Sequence, residues 1–83
     1  MYETILHNTA KRQLKKLPKD IQIRIIKTLE RIKIRPYHFV KRKAGTPYYI
    51  LRVGDYRLIL DIQNQKLVIL VLELGPRKKI YSD

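Results

Sequence analysis

Two arginines, Arg52 and Arg57, flank the four residues Val53-Gly54-Asp55-Tyr56. A Gly-Asp pair between apolar runs signals a β-hairpin. A two-residue turn at Gly54-Asp55 pairs Val53 with Tyr56 and Arg52 with Arg57. Strand residues alternate faces, so the two guanidinium groups then share one face, directly opposite each other. Like charges in that position destabilise a sheet by up to about 1 kcal/mol. A lone exposed arginine simply snorkels into water, here with Asp61 or Glu73 as partial counterions. Two cross-strand arginines, with the run Pro76-Arg77-Lys78-Lys79 due after the next strand, point instead to an anion site. Guanidinium suits phosphate because its fork donates two parallel hydrogen bonds.

The same parity sorts the rest of the hairpin. Tyr49, Leu51, Val53, Tyr56, Leu58, Leu60 and Ile62 form one apolar face, which must pack on helices. Tyr48, Ile50, Arg52, Arg57, Ile59 and Asp61 form the other, expected to be open. Upstream, Tyr2–His7 reads as a first strand, and Asn8 or Thr9 can cap the helix that follows. Ala10, Leu14 and Leu17 recur at helical spacing up to Pro18. Asp20 can cap a second helix, which places Ile21, Ile25, Leu29 and Ile32 on one face with Ile26 beside them, and which ends near Arg35 because Pro36 follows. Tyr37–Pro47 shows no periodicity and reads as a basic loop. A two-residue link at Asn64-Gln65 leads into a last apolar strand that breaks at Gly75-Pro76. The expectation is a single α+β domain over residues 1–83: an N-terminal strand, a two-helix hairpin, then a three-stranded antiparallel meander, with the helices packed on one sheet face.

Nineteen Lys and Arg against seven Asp and Glu give a net charge of +12 over 83 residues. Such a field attracts polyanions and speeds encounter with them. An ion-pair-laced surface needs both signs, and acids are scarce. A nucleic acid or an acidic protein is the expected partner. The absence of cysteine excludes disulfides, thiolate chemistry and the usual zinc sites, and fits a cytoplasmic location. The longest apolar run, Leu67–Leu72, is too short for a bilayer, so no membrane partner is expected. Met1–Asn8 lacks the basic and apolar regions of a secretion signal. The acids are scattered and the glycines few, so neither a metal nor a cofactor is expected. His7 and His38 read as structural residues.

The stretch RVGDYRLIL, followed by an apolar strand and LGPRKKIY, resembles the signature of the RelE/ParE toxin superfamily: an arginine, a Gly-x-Tyr-Arg turn, then a final Arg with a Tyr a few residues later. AKRQLKKLPKD resembles the family's first helix and Leu-Pro break, so the similarity covers essentially the whole chain. RelE-like members are ribosome-dependent mRNA endoribonucleases held inactive by an antitoxin; ParE-like members inhibit DNA gyrase. The late Arg77 and Tyr81 match the RelE branch. The resemblance implies metal-free attack of the ribose 2′-OH on its own phosphate, with Arg57 and Arg77 stabilising that phosphate. It gives Tyr81 a part in nucleotide positioning or proton transfer. A free tyrosine has a pKa of about 10, which clustered arginines lower by favouring phenolate. Arg52, on the same face, shares the electrostatic role. Lys41, Arg42, Lys43, Lys78 and Lys79 are expected to contact RNA.

The chain departs from the family at one point. Well-known relatives carry two lysines on the strand before the turn; here the matching positions are Tyr48 and Ile50. Isoleucine moves no proton, and arginine stays protonated. The implied partners are a cognate acidic RelB-like antitoxin, the ribosome and mRNA, and operator DNA through the antitoxin. A gyrase inhibitor and a non-catalytic RNA- or ribosome-binding module are the alternatives.

Overall fold

A computed structural model describes residues 1–77. The order is β1 (Glu3–Leu6), α1 (Asn8–Lys15), α2 (Lys19–Arg31), a 3-10 turn (Pro36–His38), β2 (Val40–Arg42), β3 (Tyr49–Val53), β4 (Tyr56–Gln63) and β5 (Val68–Pro76). One five-stranded sheet runs β1-β5-β4-β3-β2. β1 lies parallel to β5, and the remaining pairs are antiparallel. The expected strand, helix pair and meander are all present. The helices pack on the face formed by Leu51, Val53, Leu58, Leu60, Ile62, Ile69, Val71 and Leu74, to which they contribute Ala10, Ile25 and Leu29, joined by Ile32 just past α2.

Several local expectations are corrected. The basic stretch read as a loop contains β2, whose three residues pair with Tyr49–Leu51. Its pairing is made by main chain, so no apolar alternation announces it. Asn64–Leu67 is a four-residue turn, because Gln63 pairs with Val68, and Leu67 takes a left-handed φ of 53°. β5 does not break at Gly75; it continues to Pro76, a position a strand end tolerates. His7, not Asn8 or Thr9, caps α1: its Nδ1 accepts the Thr9 N–H at 3.3 Å. No side chain caps α2, which Pro18 precedes; Asp20 lies within its first turn, where a carboxylate favours the helix dipole. That helix stops at Arg31, short of Arg35. The Tyr2 N–H takes the Lys33 carbonyl at 2.9 Å and so ties the chain beyond the helix to β1. Ile26 is 41% exposed and does not join the core.

The second sheet face is less open than expected. Ile50, Arg57 and Ile59 on it are all buried. β4 is flanked on both sides, and across it the register places Lys41, Ile50, Ile59 and Glu73 in one row. Two buried branched residues thus lie between two exposed charged ones, Lys41 and Glu73.

Two polar staples close the structure. The Tyr2 and Tyr37 hydroxyls both donate to the Asn64 Oδ1, at 2.8 and 2.6 Å, joining the N-terminus, the 3-10 turn and the β4–β5 turn. Partial burial holds the Tyr37 pKa above the ordinary tyrosine value, and the Tyr49 and Tyr2 phenols add to this against the lowering effect of Asn64. On the other side, β5 runs past the end of β1, and its Leu74 N–H donates to the Gln13 Oε1 of α1 at 2.7 Å. A part-buried N–H left without an acceptor costs about 1–3 kcal/mol. Gln13→Ala is therefore expected to lower unfolding free energy by that order in urea titration, with an unchanged denaturant slope.

Candidate anion-binding site

The hairpin register is the expected one: Val53 faces Tyr56 and Arg52 faces Arg57. On the far side of β4, Arg57 faces Gly75 of β5. That pairing depends on a register shift between Ile59 and Leu60, where β5 holds the extra residue Leu72. Without the shift, side-chain parity would turn Glu73 toward the core beside Leu58 and set Leu74 beside Arg57. With it, Leu74 enters the core at 1% exposure, and a residue without a side chain stands next to the guanidinium.

Arg52 is exposed, whereas Arg57 is 7% exposed and its Nε is shielded from solvent. Charge held in such a setting acts more strongly on a nearby anion than charge in water. Arg77 joins them through the backbone: its N–H donates to the Asp55 carbonyl of the hairpin turn at 3.0 Å. The strand ends therefore bring Arg52, Arg57 and Arg77 to the same end of the sheet. Asp61 is not their counterion; its Oδ2 accepts from the Gln63 Nε2 at 3.0 Å. Arg52 makes no ion pair among the described residues.

The other expected contacts divide. Lys41 is exposed, in register with Ile50 on the arginine face. Arg42 lies on the opposite face, its guanidinium 5.8 Å from the Tyr49 ring centre and its Nε donating to the Thr46 carbonyl at 3.2 Å. Lys43 is half-buried in the turn before β3. Ile50, where relatives carry lysine, is buried, and Tyr48 is half-buried just before β3. His38 lies edge-on to Phe39 and His7 caps α1, so the two histidines have separate structural duties. Tyr81, Lys78 and Lys79 lie outside the described residues. Sequence reasoning missed Arg24, which sits against the hairpin turn. Gly54 has a φ of +60°, and a Cβ there would lie 3.0 Å from the Arg24 Nη1. The available signal was spacing: Arg24, Lys27 and Arg31 lie one turn apart along α2.

A family model described as the ParE toxin of the type II toxin–antitoxin system parDE matches residues 4–81. The chain belongs to the RelE/ParE superfamily of toxins from type II toxin–antitoxin systems. Among solved structures, the RelBE2 toxin–antitoxin complex of Mycobacterium tuberculosis aligns over 92% of this chain and 98% of that one, with 25% identity and a TM-score of 0.83. The archaeal RelE–RelB complex of Pyrococcus horikoshii aligns over 94% and 97%, with 29% identity and a TM-score of 0.81. Isolated RelE of E. coli, at 20% identity, covers 92% of this chain and 84% of that one; its TM-score of 0.76 shows the shared fold. No curated protein sequence matches the chain.

In this toxin the tight turn and Arg24 are coupled. Gly54→Ala is expected to cost about 1–2 kcal/mol from the left-handed backbone alone, plus a clash with Arg24. In the background of Arg24→Ala the same change should cost less. Thermal unfolding of the four members of that double-mutant cycle measures the difference.

Proposed function

We propose that this toxin is an endoribonuclease that cuts translated mRNA on the ribosome by attack of the ribose 2′-OH on the adjacent phosphate. The observation that carries the reading is the gathering of Arg52, Arg57 and Arg77 at one end of the sheet. In-line attack builds negative charge on the non-bridging oxygens of a phosphorane-like transition state. Arg57, buried and preorganised, would stabilise that charge, and Arg77 would hold the phosphate from the other strand end. Arg52 at the rim would share in holding the same phosphate. These roles need no bound metal.

Proton transfer falls to Tyr81. The lysine positions of relatives hold Tyr48 and Ile50, and Ile50 is buried. As phenolate, Tyr81 would take the 2′-OH proton; as phenol, it would return one to the leaving 5′-oxygen. RNA-binding roles for Lys41, Arg42, Lys43, Lys78 and Lys79 belong to the same reading; the outward turn of Arg42 favours a contact away from the scissile linkage.

The solved relatives include complexes of RelE with the antitoxin RelB. We infer an acidic RelB-like antitoxin for this chain, which carries +12. Such a segment, disordered until bound, would cover Arg52 and Arg57 or displace the tail with Tyr81. The pair would reach operator DNA through the antitoxin, and cytoplasm is where its ribosomal target lies. A second reading, inhibition of DNA gyrase, is favoured by the ParE description of the matching family, and the missing strand lysines favour a non-catalytic RNA- or ribosome-binding module.

Primer extension on translated mRNA after brief induction separates these readings. Wild-type chain should give discrete mRNA ends, and Arg57→Lys, Arg77→Ala and Tyr81→Phe should each reduce cleavage by about 10²-fold or more. DNA damage without mRNA fragments would establish the gyrase reading. Cleavage unchanged in all three variants would overturn the site assignment.

A further inference from the structure

A second cationic feature lies on α2, whose Arg24, Lys27 and Arg31 project along one flank, a turn apart. They line an open cleft of about 460 Å³ together with Phe39, Arg52 and Gly54. The cleft exists because β2 pairs with β3 only at Tyr49–Leu51. Beyond that, Arg52 and Val53 pair with β4 alone, and their other edge is open beside the helix. Gly54 lets the Arg24 guanidinium lie against the turn, where a Cβ would stand 3.0 Å from its Nη1.

Four cations converge here, and no acid among the described residues lines the cleft. The α2 carboxylate of Glu30 is held by Lys33 at 2.8 Å. Among the described residues, none of Arg24, Lys27, Arg31 and Arg52 forms an ion pair. Residues three and four apart on a helix lie about 5–6 Å from one another, a spacing comparable to that of successive phosphates along a single strand. Phe39, on the rim, is 42% exposed and braced edge-on by His38. A cationic rail beside an exposed aromatic ring is the pattern that grips single-stranded nucleic acid: phosphates on the charges, a base on the ring. An acidic polypeptide would use the charges but has no need of the ring. Arg52 joins this cleft to the arginine face, since it lines the one and faces Arg57 on the other.

We propose that the cleft formed by Arg24, Lys27, Arg31 and Phe39 binds the backbone of an RNA strand, beside the scissile site and independently of cleavage. The inference extends the RNA reading above, and its test uses RNA that cannot be cut, so failure of cleavage and failure of this site are separable. Full-length protein is titrated with a fluorescent 2′-O-methyl oligouridylate over a range of salt. R24Q/K27Q/R31Q should weaken binding by about tenfold or more at low salt. It should also lower the slope of log K against log salt by about 2, since each phosphate contact on a single strand contributes about 0.7. K11Q/R12Q/K15Q on α1 removes the same charge elsewhere and should change affinity by less than about threefold. Phe39→Leu, which leaves the charge alone, should weaken binding by about fivefold or more without changing the slope. Far-UV circular dichroism checks that each variant is folded. Equal losses in the two triple variants would overturn the proposal, because binding would then follow net charge. Intact RNA binding in R24Q/K27Q/R31Q with lost binding of an oligoglutamate probe would overturn it too, and assign the cleft to an acidic polypeptide.

Discussion

A two-residue turn sets Arg52 against Arg57, and that single register governs both the core and the charge. The same alternation that places the guanidiniums together sends Leu51, Val53, Leu58 and Leu60 to the helices. A slip of one residue would carry Arg57 into the core and Leu58 out of it, so the repulsive pair cannot be relieved by re-pairing. The sheet tolerates it because burial of the opposite face outweighs a penalty of about 1 kcal/mol. The pair concentrates positive charge at one end of the sheet, in a chain with nineteen basic residues and seven acids.

β5 completes the arrangement. Its register shift at Leu72 reverses side-chain parity partway along the strand. Before it, Ile69 and Val71 face the core; after it, Leu74 does, while Glu73 stays outside. The shift also brings Gly75 beside Arg57, and two residues later the Arg77 N–H reaches the hairpin turn. One extra residue therefore serves packing and site at once. The Leu74 N–H beyond β1 is taken by Gln13, so α1 fixes the strand end that carries Arg77.

What sequence alone conveys follows from where the information resides. The β3–β4 hairpin was legible because its turn residues and its alternation agree. The faces of α1 and α2 were legible from their period, except that Ile26 lay too far round α2 to be buried. β2 was not legible: Val40-Lys41-Arg42 has no pattern, and only its partner strand makes it extended. Nor was the parity of β5, since Leu67–Leu72 is apolar without alternation and the extra residue leaves no mark in it. The burial of Arg57 was not legible either, because local alternation places it on the face opposite the core. The basic flank of α2 reads in sequence as a solvated helix face, and becomes a cleft only when β2 stops short of Arg52. Arg77 was singled out by family resemblance; its tie to Asp55 is a contact between distant segments.

The central claim is that Arg52, Arg57 and Arg77 act on one anion. Their guanidinium Nε–Hε signals, assigned by NMR and followed during titration with a non-cleavable 2′-O-methyl dinucleotide, test it most directly. Shared occupancy predicts that all three shift with one midpoint, including the buried Arg57. An Arg57 signal that stays fixed while exposed arginines shift would contradict the account.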